Sequence, residues 1–541
     1  MIRSKPNWWT KVHDAEIIAK WRQEMVEQDR ATVDRLWGGE GRFEHGDGKK
    51  KWPRDPITNA QLDYIFGQLR YEAGRYDEPT GIFAVAVPMV YESRSLIPAD
   101  LKSSLVSAVS VLESIPDDQK DWHPGSNKQV LDLVHPSLYC LRIGQSPIRN
   151  KDPAGADSVH VLNHDKYLSE RPDFKQLTNH AYLISRDYQW LPTDFSVSES
   201  GVVQPLSYIN NIHPIRHRSL HDAVPSILSR FVPLFSKVLA DILSPEPPLA
   251  LVLDPRSWYE HLVRPEWEAE GVSEDRERWS RQERWSREER WPLIPDPAPF
   301  CPPSSDDRIE FELKGRTVQV IVKLANIVLT PENPKYPGGS WHVEGMVNER
   351  IVATGIYYYS SENITESRLG FRATVGDAFE CGMWMSYDQS DYKGWYTAYG
   401  FAGGNALNQE IGHIVAEEDK CVAFPNIYQH RVDSFELADP SKPGHRKILC
   451  FFLVDPLQRI HSTSDVPPQQ AEWSMEEMMR VPALKSLPTE LFDMVAGYAL
   501  DGTISRKEAE EHRDKLMNER ANFVMEHNEH VYELEFNMCE H

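Results

Sequence analysis

The segment from Thr317 to Leu329 constrains the fold most, because its apolar side chains recur with the two-residue period of a β-strand. The apolar residues of one face are Val318, Val320, Val322 and Leu324. The other face carries the polar residues Gln319 and Lys323. The segment therefore predicts a strand with one face in a core.

Short strand-like runs separated by turn residues follow this strand. They cover residues 351–359, 368–374, 411–416, 422–424 and 448–454. An array of short strands at this spacing favours a double-sheet jelly roll over a parallel α/β sheet. Helical spacing of apolar residues marks other segments: residues 59–75, 101–115 and 219–243, and a long helix that opens with a capping box at Ser505 and Glu508. The predicted fold class is α+β, with a jelly-roll core and helices at both ends.

Changes in composition along the chain predict five regions. These are a mainly helical N-terminal region (1–135), a mixed region of strands, loops and helix (136–245), a charged insertion with a proline-rich linker (246–310), the jelly-roll core (311–466) and a C-terminal helical region (467–541). The insertion repeats tryptophan every six residues, at Trp279, Trp285 and Trp291. Six residues turn a helix by about 600°, so the repeat predicts a surface insertion rather than a helical stripe.

Charge and cysteine content restrict the partners and the compartment. The formal charge of −23 disfavours nonspecific binding to nucleic acid or to anionic membranes. The sequence contains neither the roughly 20 consecutive apolar residues of a membrane helix nor an apolar secretory signal. Its six cysteines have no paired spacing, which is typical of reduced thiols. We therefore expect a cytoplasmic protein, with the nucleus left open.

A His-x-Asp/Glu triplet is the first sign of a metal site. It occurs four times, so it indicates little alone: His45/Asp47, His342/Glu344, His512/Asp514 and His527/Glu529. Residues i and i+2 point to one side of a strand but diverge by about 200° on a helix. The last two triplets lie in predicted helix and the first in a loop rich in Gly and Lys. Only His342 and Glu344 stand between predicted strands, and they are the candidate ligands.

The third ligand has to come from a distant segment. His430 opens a strand-like run, and Arg446 lies at the entry of the last apolar strand. Two imidazoles and one carboxylate can bind one face of a non-haem Fe(II) ion and leave positions open. An arginine can hold the free carboxylate of a 2-oxo acid through two parallel hydrogen bonds. Spacing alone also allows His413, His445 and His461 as the third ligand, and Lys447 or Arg431 as the anion-binding residue.

The order His342-x-Glu344, His430, Arg446 resembles the Fe(II)/2-oxoglutarate-dependent dioxygenase superfamily. Its members carry the triad in a double-stranded β-helix and bind 2-oxoglutarate through a basic residue downstream of the distal histidine. Aspartate is commoner in that superfamily where this chain has Glu344. Other segments resemble a fungal family catalogued only as a domain of unknown function: residues 121–125, 208–214, 336–345 and 424–456.

The resemblance implies Fe(II) and 2-oxoglutarate as cofactors, with His342, Glu344 and His430 as metal ligands and catalytic centre. It implies Arg446 as the residue that binds 2-oxoglutarate, and Asn326 is a further candidate contact. The expected reaction is a hydroxylase-type oxidation of a small molecule, or alternatively of a protein. The competing hypothesis is a non-catalytic interaction scaffold that keeps the β-helix and binds partners through residues 279–291. The sequence leaves the oligomeric state open.

Overall fold

The computed structural model describes residues 2–37, 57–149, 159–169, 181–246, 256–263, 275–304, 308–377, 382–383, 391, 393–394, 397 and 404–535. Labelled in chain order, the α-helices of these residues are α1 (Trp8–Lys11), α2 (Ala15–Trp37), α3 (Asn59–Ala73), α4 (Ala99–Glu113), α5 (His164–Ser169), α6 (Arg218–Leu243), α7 (Asp275–Glu288), α8 (Ala471–Arg480), α9 (Pro482–Lys485), α10 (Thr489–Ala499) and α11 (Arg506–His527). None of the described helices is both long enough and apolar enough to cross a membrane.

The described strands are short in the first half of the chain and longer in the second. They are β1 (Phe83–Ala84), β2 (Tyr91–Ser93), β3 (Val130–Val134), β4 (Leu141–Arg142), β5 (Pro147–Arg149), β6 (Val159–Val161), β7 (Tyr188–Gln189), β8 (Thr193–Val197), β9 (Val203–Pro205), β10 (Thr317–Leu329), β11 (Lys335–Tyr336), β12 (Ile351–Glu362), β13 (Arg368–Thr374), β14 (Gly376–Asp377), β15 (Gly382–Met383), β16 (Asn408–Val415), β17 (Cys421–Pro425), β18 (Gln429–Val432), β19 (Phe435–Glu436) and β20 (Gly444–Val454).

A nine-stranded antiparallel sheet forms the centre of the fold. Its strands lie in the order β1-β2-β17-β12-β20-β10-β8-β9, and β3 also pairs with β10. The sheet therefore crosses the region boundaries predicted at residues 135 and 310. Residues 311–466 do not build it alone, because β1, β2, β3, β8 and β9 come from the regions before them. The N-terminal region contributes strands as well as the predicted helices.

The register of β10 and β20 determines which side chains share a face of this sheet. Ile327 lies opposite Arg446, and Lys323 lies opposite Cys450. Since side chains alternate along a strand and opposite residues share a side, these four point to the same face. The strand and its alternation are confirmed. Its polar face is nevertheless covered by the fold, because Gln319 is only 4% exposed.

Helix α6 covers the other face of the main sheet. Its buried residues include Phe231 and Phe235, which form one apolar cluster with the residues of β20 that point to this side, such as Phe451. Gly355 of β12 lies directly under the helix, where a Cβ atom would come within 2.7 Å of Phe231 Cδ1 and 2.8 Å of Phe235 Cζ. A glycine is needed here because the helix approaches the strand so closely.

The face that carries Lys323 and Arg446 packs against a smaller antiparallel sheet with the strand order β16-β13-β18. Leu369 and Phe371 of β13 share an apolar cluster with Phe424 and Phe452 of the main sheet. The predicted combination of helices with antiparallel sheets is therefore confirmed. The gap between the two sheets is where the candidate ligands meet.

Several predicted helices are found close to their expected bounds. The runs at 59–75, 101–115 and 219–243 correspond to α3, α4 and α6. The capping box of α11 forms as expected: Glu508 N donates to Ser505 Oγ at 3.3 Å, and Ser505 N donates to Glu508 Oε2 at 2.8 Å. His512 and Asp514 lie on this helix, which removes them as a metal pair.

The tryptophan repeat lies partly on a helix, which its six-residue spacing did not predict. Trp279 and Trp285 belong to α7, and Trp291 follows it. Trp279 is 69% exposed, whereas the ammonium of Lys393 lies 3.7 Å from the centre of the Trp291 ring. The first and last rings of the repeat therefore differ: Trp279 faces solvent and Trp291 contacts the rest of the chain.

Candidate metal centre

His342 and His430 are brought together by a β-bridge. His342 N donates to His430 O at 3.2 Å, and His430 N donates to His342 O at 2.9 Å. The centres of their rings are 4.5 Å apart. His430 belongs to β18, which is fixed by pairing with β13 in the smaller sheet. The two histidines are thus held by backbone hydrogen bonds, although 87 residues separate them (430 − 342 − 1).

Glu344 completes a group that we call the metal cluster (His342, Glu344, His430). Its Oε1 lies 3.3 Å from His430 Nε2 and 3.9 Å from His342 Nε2. Asn426 fixes its backbone, because Glu344 N donates to Asn426 Oδ1 and Asn426 Nδ2 donates to Glu344 O, both at 2.9 Å. One ligand atom from each residue lies within 4.8 Å of the others. The backbone of Glu344 is therefore held by the side chain of Asn426, whereas a strand was expected at this position.

The protonation of the metal cluster suits a cation. His342 Nδ1 lies 2.8 Å from the carbonyl oxygen of Ser340, which can only accept, so Nδ1 carries the proton and the Nε2 lone pair is free. Burial, and then the neighbouring His430, lower the pKa of His342 to about 4. Burial alone would raise the pKa of Glu344, but the hydrogen bond from His430 and the charges of His342, His430 and Lys323 lower it to about 2. At neutral pH the cluster therefore offers a neutral imidazole and a carboxylate.

Arg446 lies in the same gap and has no anionic partner among the described residues. It is 2% exposed; its Nη1 donates to Ser367 Oγ at 2.7 Å, and its guanidinium lies 5.5 Å from the rings of Tyr358 and Phe435. Within the same described part of the chain, its buried Nε has no hydrogen-bond partner and no carboxylate pairs with it. A buried guanidinium with unused donors is a site for an anion.

Lys323 is a second cation of this gap, and its role was not recognised from the sequence pattern. Burial works to lower its pKa, but the carboxylates of Asp132 and Glu344 outweigh burial and raise it. In the described part of the chain, no side chain forms a hydrogen bond or an ion pair with its ammonium. The available signal was one lysine on a strand face that is apolar around it, at Ile321, Ala325 and Ile327.

Cys450 and Tyr336 are both close enough to Lys323 and Arg446 for the two charges to act on them. Burial raises the pKa of the Cys450 thiol to about 12, and Lys323, Glu344 and Arg446 all act on it. Burial also raises the pKa of Tyr336, against the charges of Arg446 and Lys323. Lys323 is among the charges that act on both His342 and Glu344. We call the end of the gap near Lys323 its metal end, and the end at Arg446, four residues from Cys450 along β20, its far end.

The structure does not bring Asn326 to this gap. Because it neighbours Ile327 on β10, its side chain points to the opposite face of the sheet. There its Nδ2 donates to Glu113 Oε1 at 2.6 Å, and its Oδ1 accepts from Tyr359 Oη at 3.2 Å. Lys447 lies on that face too, with Nζ 2.8 Å from Glu113 Oε1. Neither residue can contact a co-substrate in the gap.

The remaining histidines and Arg431, which spacing alone allowed as ligands, also lie outside the metal cluster. His445 Nε2 is 2.8 Å from Ser360 Oγ, and His413 lies exposed on β16. His461 belongs to neither of the described groups that could hold a metal ion. Arg431 is paired with Asp433 at 3.4 Å. His45 and Asp47 lie outside the described residues.

A second group, which we call the β3 cluster (His123, Asp132, His135), was not singled out from the sequence. Its ligand atoms also lie within 4.8 Å of one another. His123 Nδ1 lies 2.8 Å from Asp132 Oδ2, and His135 Nδ1 accepts from Ser137 N at 3.3 Å. The only sequence signal was the motif of residues 121–125, which contains His123 but indicated no more than a family resemblance.

Comparisons with known proteins give a family and distant structural neighbours. The model of a family described as a protein of unknown function (DUF4246) matches residues 59–477, and that of the DUF4246 N-terminal domain of unknown function matches residues 1–24. No curated protein matches the sequence.

Similar solved structures include a bsmA homolog from Methylobium petroleophilum PM1 (8% identity, 66% of this chain, 86% of the other, TM-score 0.23). Two others are the Fe(II)/(alpha)ketoglutarate-dependent dioxygenase TqaL (10%, 67%, 93%, 0.22) and a dioxygenase for auxin oxidation in rice (11%, 76%, 80%, 0.22). Structural similarity at such TM-scores is too weak to indicate a function. The chemistry of the site follows only from its own residues.

Proposed function

Since this chain belongs to the DUF4246 family of proteins of unknown function, we propose its function from its own site: it is a non-haem Fe(II)- and 2-oxoglutarate-dependent oxygenase. In this proposal the two facing sheets are a double-stranded β-helix, or jelly roll. Its metal ligands are His342, Glu344 and His430, and Arg446 binds the co-substrate. The reaction is a hydroxylase-type oxidation of a small molecule.

One observation carries the proposal: the metal cluster and an unpaired buried arginine share one gap between the sheets. Two imidazole nitrogens and one carboxylate oxygen are the donor set of a facial triad, which leaves metal positions open. Arg446 supplies the charge complement for an acid whose other end reaches the metal. Either feature alone is common in proteins, whereas both together match a metal ion and a 2-oxo acid.

The residues of the chain have distinct tasks in this reaction. Fe(II) with 2-oxoglutarate and oxygen supplies the oxidation of an unactivated C–H bond, with release of succinate and CO₂. The hydrogen bond from His342 Nδ1 to Ser340 O fixes the ring and leaves the Nε2 lone pair free, so this nitrogen would hold the ion. Asn426 holds the backbone of Glu344, and Arg446 orients the co-substrate by its distal carboxylate. The apolar residues around the gap limit the access of water.

A neighbouring cavity supports a small-molecule substrate. It has a volume of about 580 Å³ and is lined by residues that include Gly338, Gly339, Arg368 and Arg431. The two glycines directly precede Ser340 and Arg431 adjoins His430 in the sequence, so the cavity lies beside the bridge that holds the two histidines. Its volume is within the usual range of roughly 300–1,000 Å³ for small-molecule sites.

The test is succinate formation by purified protein. The protein is reconstituted with Fe(II) without oxygen, mixed with 2-oxoglutarate and then exposed to oxygen. We expect Fe(II)-dependent release of succinate even without the substrate, and a loss of roughly 100-fold or more in His342→Ala. His413→Ala, an exposed histidine of β16, is the matched control and should behave as wild type. No Fe(II) binding, or equal rates in wild type and His342→Ala, would refute the proposal.

A further inference from the structure

We propose that Lys323 binds the carboxylate next to the oxo group of the co-substrate, so that the site holds a dicarboxylate between two cations. This inference rests on the proposed function. Arg446 takes the distal carboxylate at the far end of the gap, and Lys323 takes the proximal one at the metal end.

The first support is the position of Lys323. It lies opposite Cys450, which is four residues from Arg446 along β20. At about 3.3 Å per residue the two cationic positions are ~13 Å apart along the sheet, and both long side chains can lean over Cys450 toward each other. Lys323 is also among the charges that lower the pKa of Glu344, one of the proposed metal ligands. Lys323 therefore lies at the end where a metal-bound carboxylate would be.

The second support is that the ammonium of Lys323 has unused donors. Burying a charge is costly unless it is paired and hydrogen-bonded. Asp132 and Glu344 act on Lys323, yet among the described residues neither carboxylate lies within ion-pair distance of its ammonium. Lys323 is also partly exposed although β10 is a central strand with buried neighbours at Val322 and Leu324. An accessible space therefore lies next to the charge.

The third support is the balance of charge. A divalent ion, Lys323 and Arg446 contribute positive charge to this region, and Glu344 and Asp132 contribute negative charge. The net charge of these groups is +2. A dianionic 2-oxo acid cancels this sum, whereas a monoanion leaves one positive charge buried. The lysine thus favours an acid with two carboxylates.

The experiment separates the two carboxylates by equilibrium titration calorimetry on protein loaded with Co(II). The ligands are 2-oxoglutarate and 2-oxopentanoate, which keeps the 2-oxo acid end but lacks the distal carboxylate. Lys323→Met should weaken both ligands by roughly 10- to 100-fold and leave the ratio of their affinities unchanged. Arg446→Met should weaken 2-oxoglutarate alone and bring the ratio close to one. Co(II) affinity should stay equal or rise in Lys323→Met, since a repelling charge is removed.

Lys447→Met is the matched control, because Lys447 points to the other face and pairs with Glu113. It should bind both ligands as wild type does, and Lys323→Arg should keep most of the affinity. If Lys323→Met does not fold, Lys323→Gln gives the same comparison. Unchanged affinities, a changed ratio, or a parallel loss of Co(II) in the Lys323 variants would overturn the inference. A wild-type protein that binds Co(II) but neither acid would overturn the proposed function with it.

Discussion

The metal cluster and the β3 cluster each join two imidazoles to one carboxylate, and both carboxylates act on Lys323. They differ in how their rings are hydrogen-bonded. In the metal cluster, His342 Nδ1 donates to a backbone carbonyl and leaves Nε2 free. In the β3 cluster, His135 Nδ1 accepts from a backbone N–H, so the neutral ring carries its proton on Nε2.

The carboxylates of the two clusters also differ, in their burial and in their distance from the nearest imidazole. Asp132 accepts directly from His123 at 2.8 Å and is completely buried, whereas Glu344 is 14% exposed and lies 3.3 Å from its nearest imidazole nitrogen. In the β3 cluster Asp132 Oδ2 is thus engaged by an imidazole at short distance, while the buried Asp132 Oδ1 has no hydrogen-bond partner among the described residues. In the metal cluster the Nε2 lone pair of His342 is available. Residue types and mutual distances do not separate the two groups, whereas the ring protons of His342 and His135 lie on different nitrogens.

The largest expected effect is on metal affinity. Glu344→Gln removes a charged ligand and should weaken Co(II) binding by roughly 100-fold or more, while Asp132→Asn should leave it within a few-fold of wild type. Calorimetry and metal analysis of the loaded proteins measure this difference, with one ion per chain expected in wild type. Two ions per chain, one of them lost in Asp132→Asn, would show that the β3 cluster also binds metal.

The next effect is on stability, and here the Asp132 variant should lose more than the Glu344 variant. Asp132→Asn should lower the free energy of unfolding by about 2–3 kcal/mol, since a buried charged hydrogen bond to His123 is lost. Glu344→Gln should cost less than about 1 kcal/mol, because its carboxylate is partly exposed and longer contacts hold it. Urea unfolding of both variants without metal makes the comparison. A larger cost for Glu344→Gln would mean that the metal cluster, too, is mainly structural.

The same contrast shows how far the sequence could lead. Strand alternation located β10, a continuous apolar run located β20, and the strand context of the triplet selected His342 and Glu344 from four candidates. Pattern alone could not tell which face of β10 carries the site, because both faces are covered, one by α6 and the other by the smaller sheet. Asn326 was assigned to the site for that reason, although it points toward Glu113.

Long-range contacts explain what else the sequence did not reveal. The main sheet recruits β3 and β8 from segments that carry only short apolar runs, so β3 was not predicted in the N-terminal region and β8 was not located within the mixed region. His123 and Asp132, by contrast, meet through a local turn, in which His123 N donates to Val130 O and Asp132 N donates to Asp121 O, both at 2.9 Å. A hydrogen bond such as that from Asn426 to the backbone of Glu344 depends on tertiary structure, and no spacing rule contains it.

The smallest effect concerns pH and tests whether His135 is held neutral. Burial lowers the pKa of His135 to about 3, against the charge of Asp132, whereas an unfolded histidine titrates near 6.5. As pH falls below about 6.5, the unfolded chain binds a proton that the folded state refuses, so stability is lost down to about pH 3. At pH 5 the loss relative to pH 7.5 should be about 2 kcal/mol.

His135→Asn isolates this contribution, because the amide oxygen of asparagine can accept from Ser137 N in place of Nδ1 and does not titrate. Asp132 and Lys323 keep their charges between pH 5 and 7.5, so they do not alter the comparison. Urea unfolding at the two pH values should show the variant losing about 2 kcal/mol less than wild type. An equal loss would mean that His135 is protonated in the folded protein. The β3 cluster would then contain an imidazolium beside Asp132, and its difference from the metal cluster would be one of charge as well as of ring tautomer.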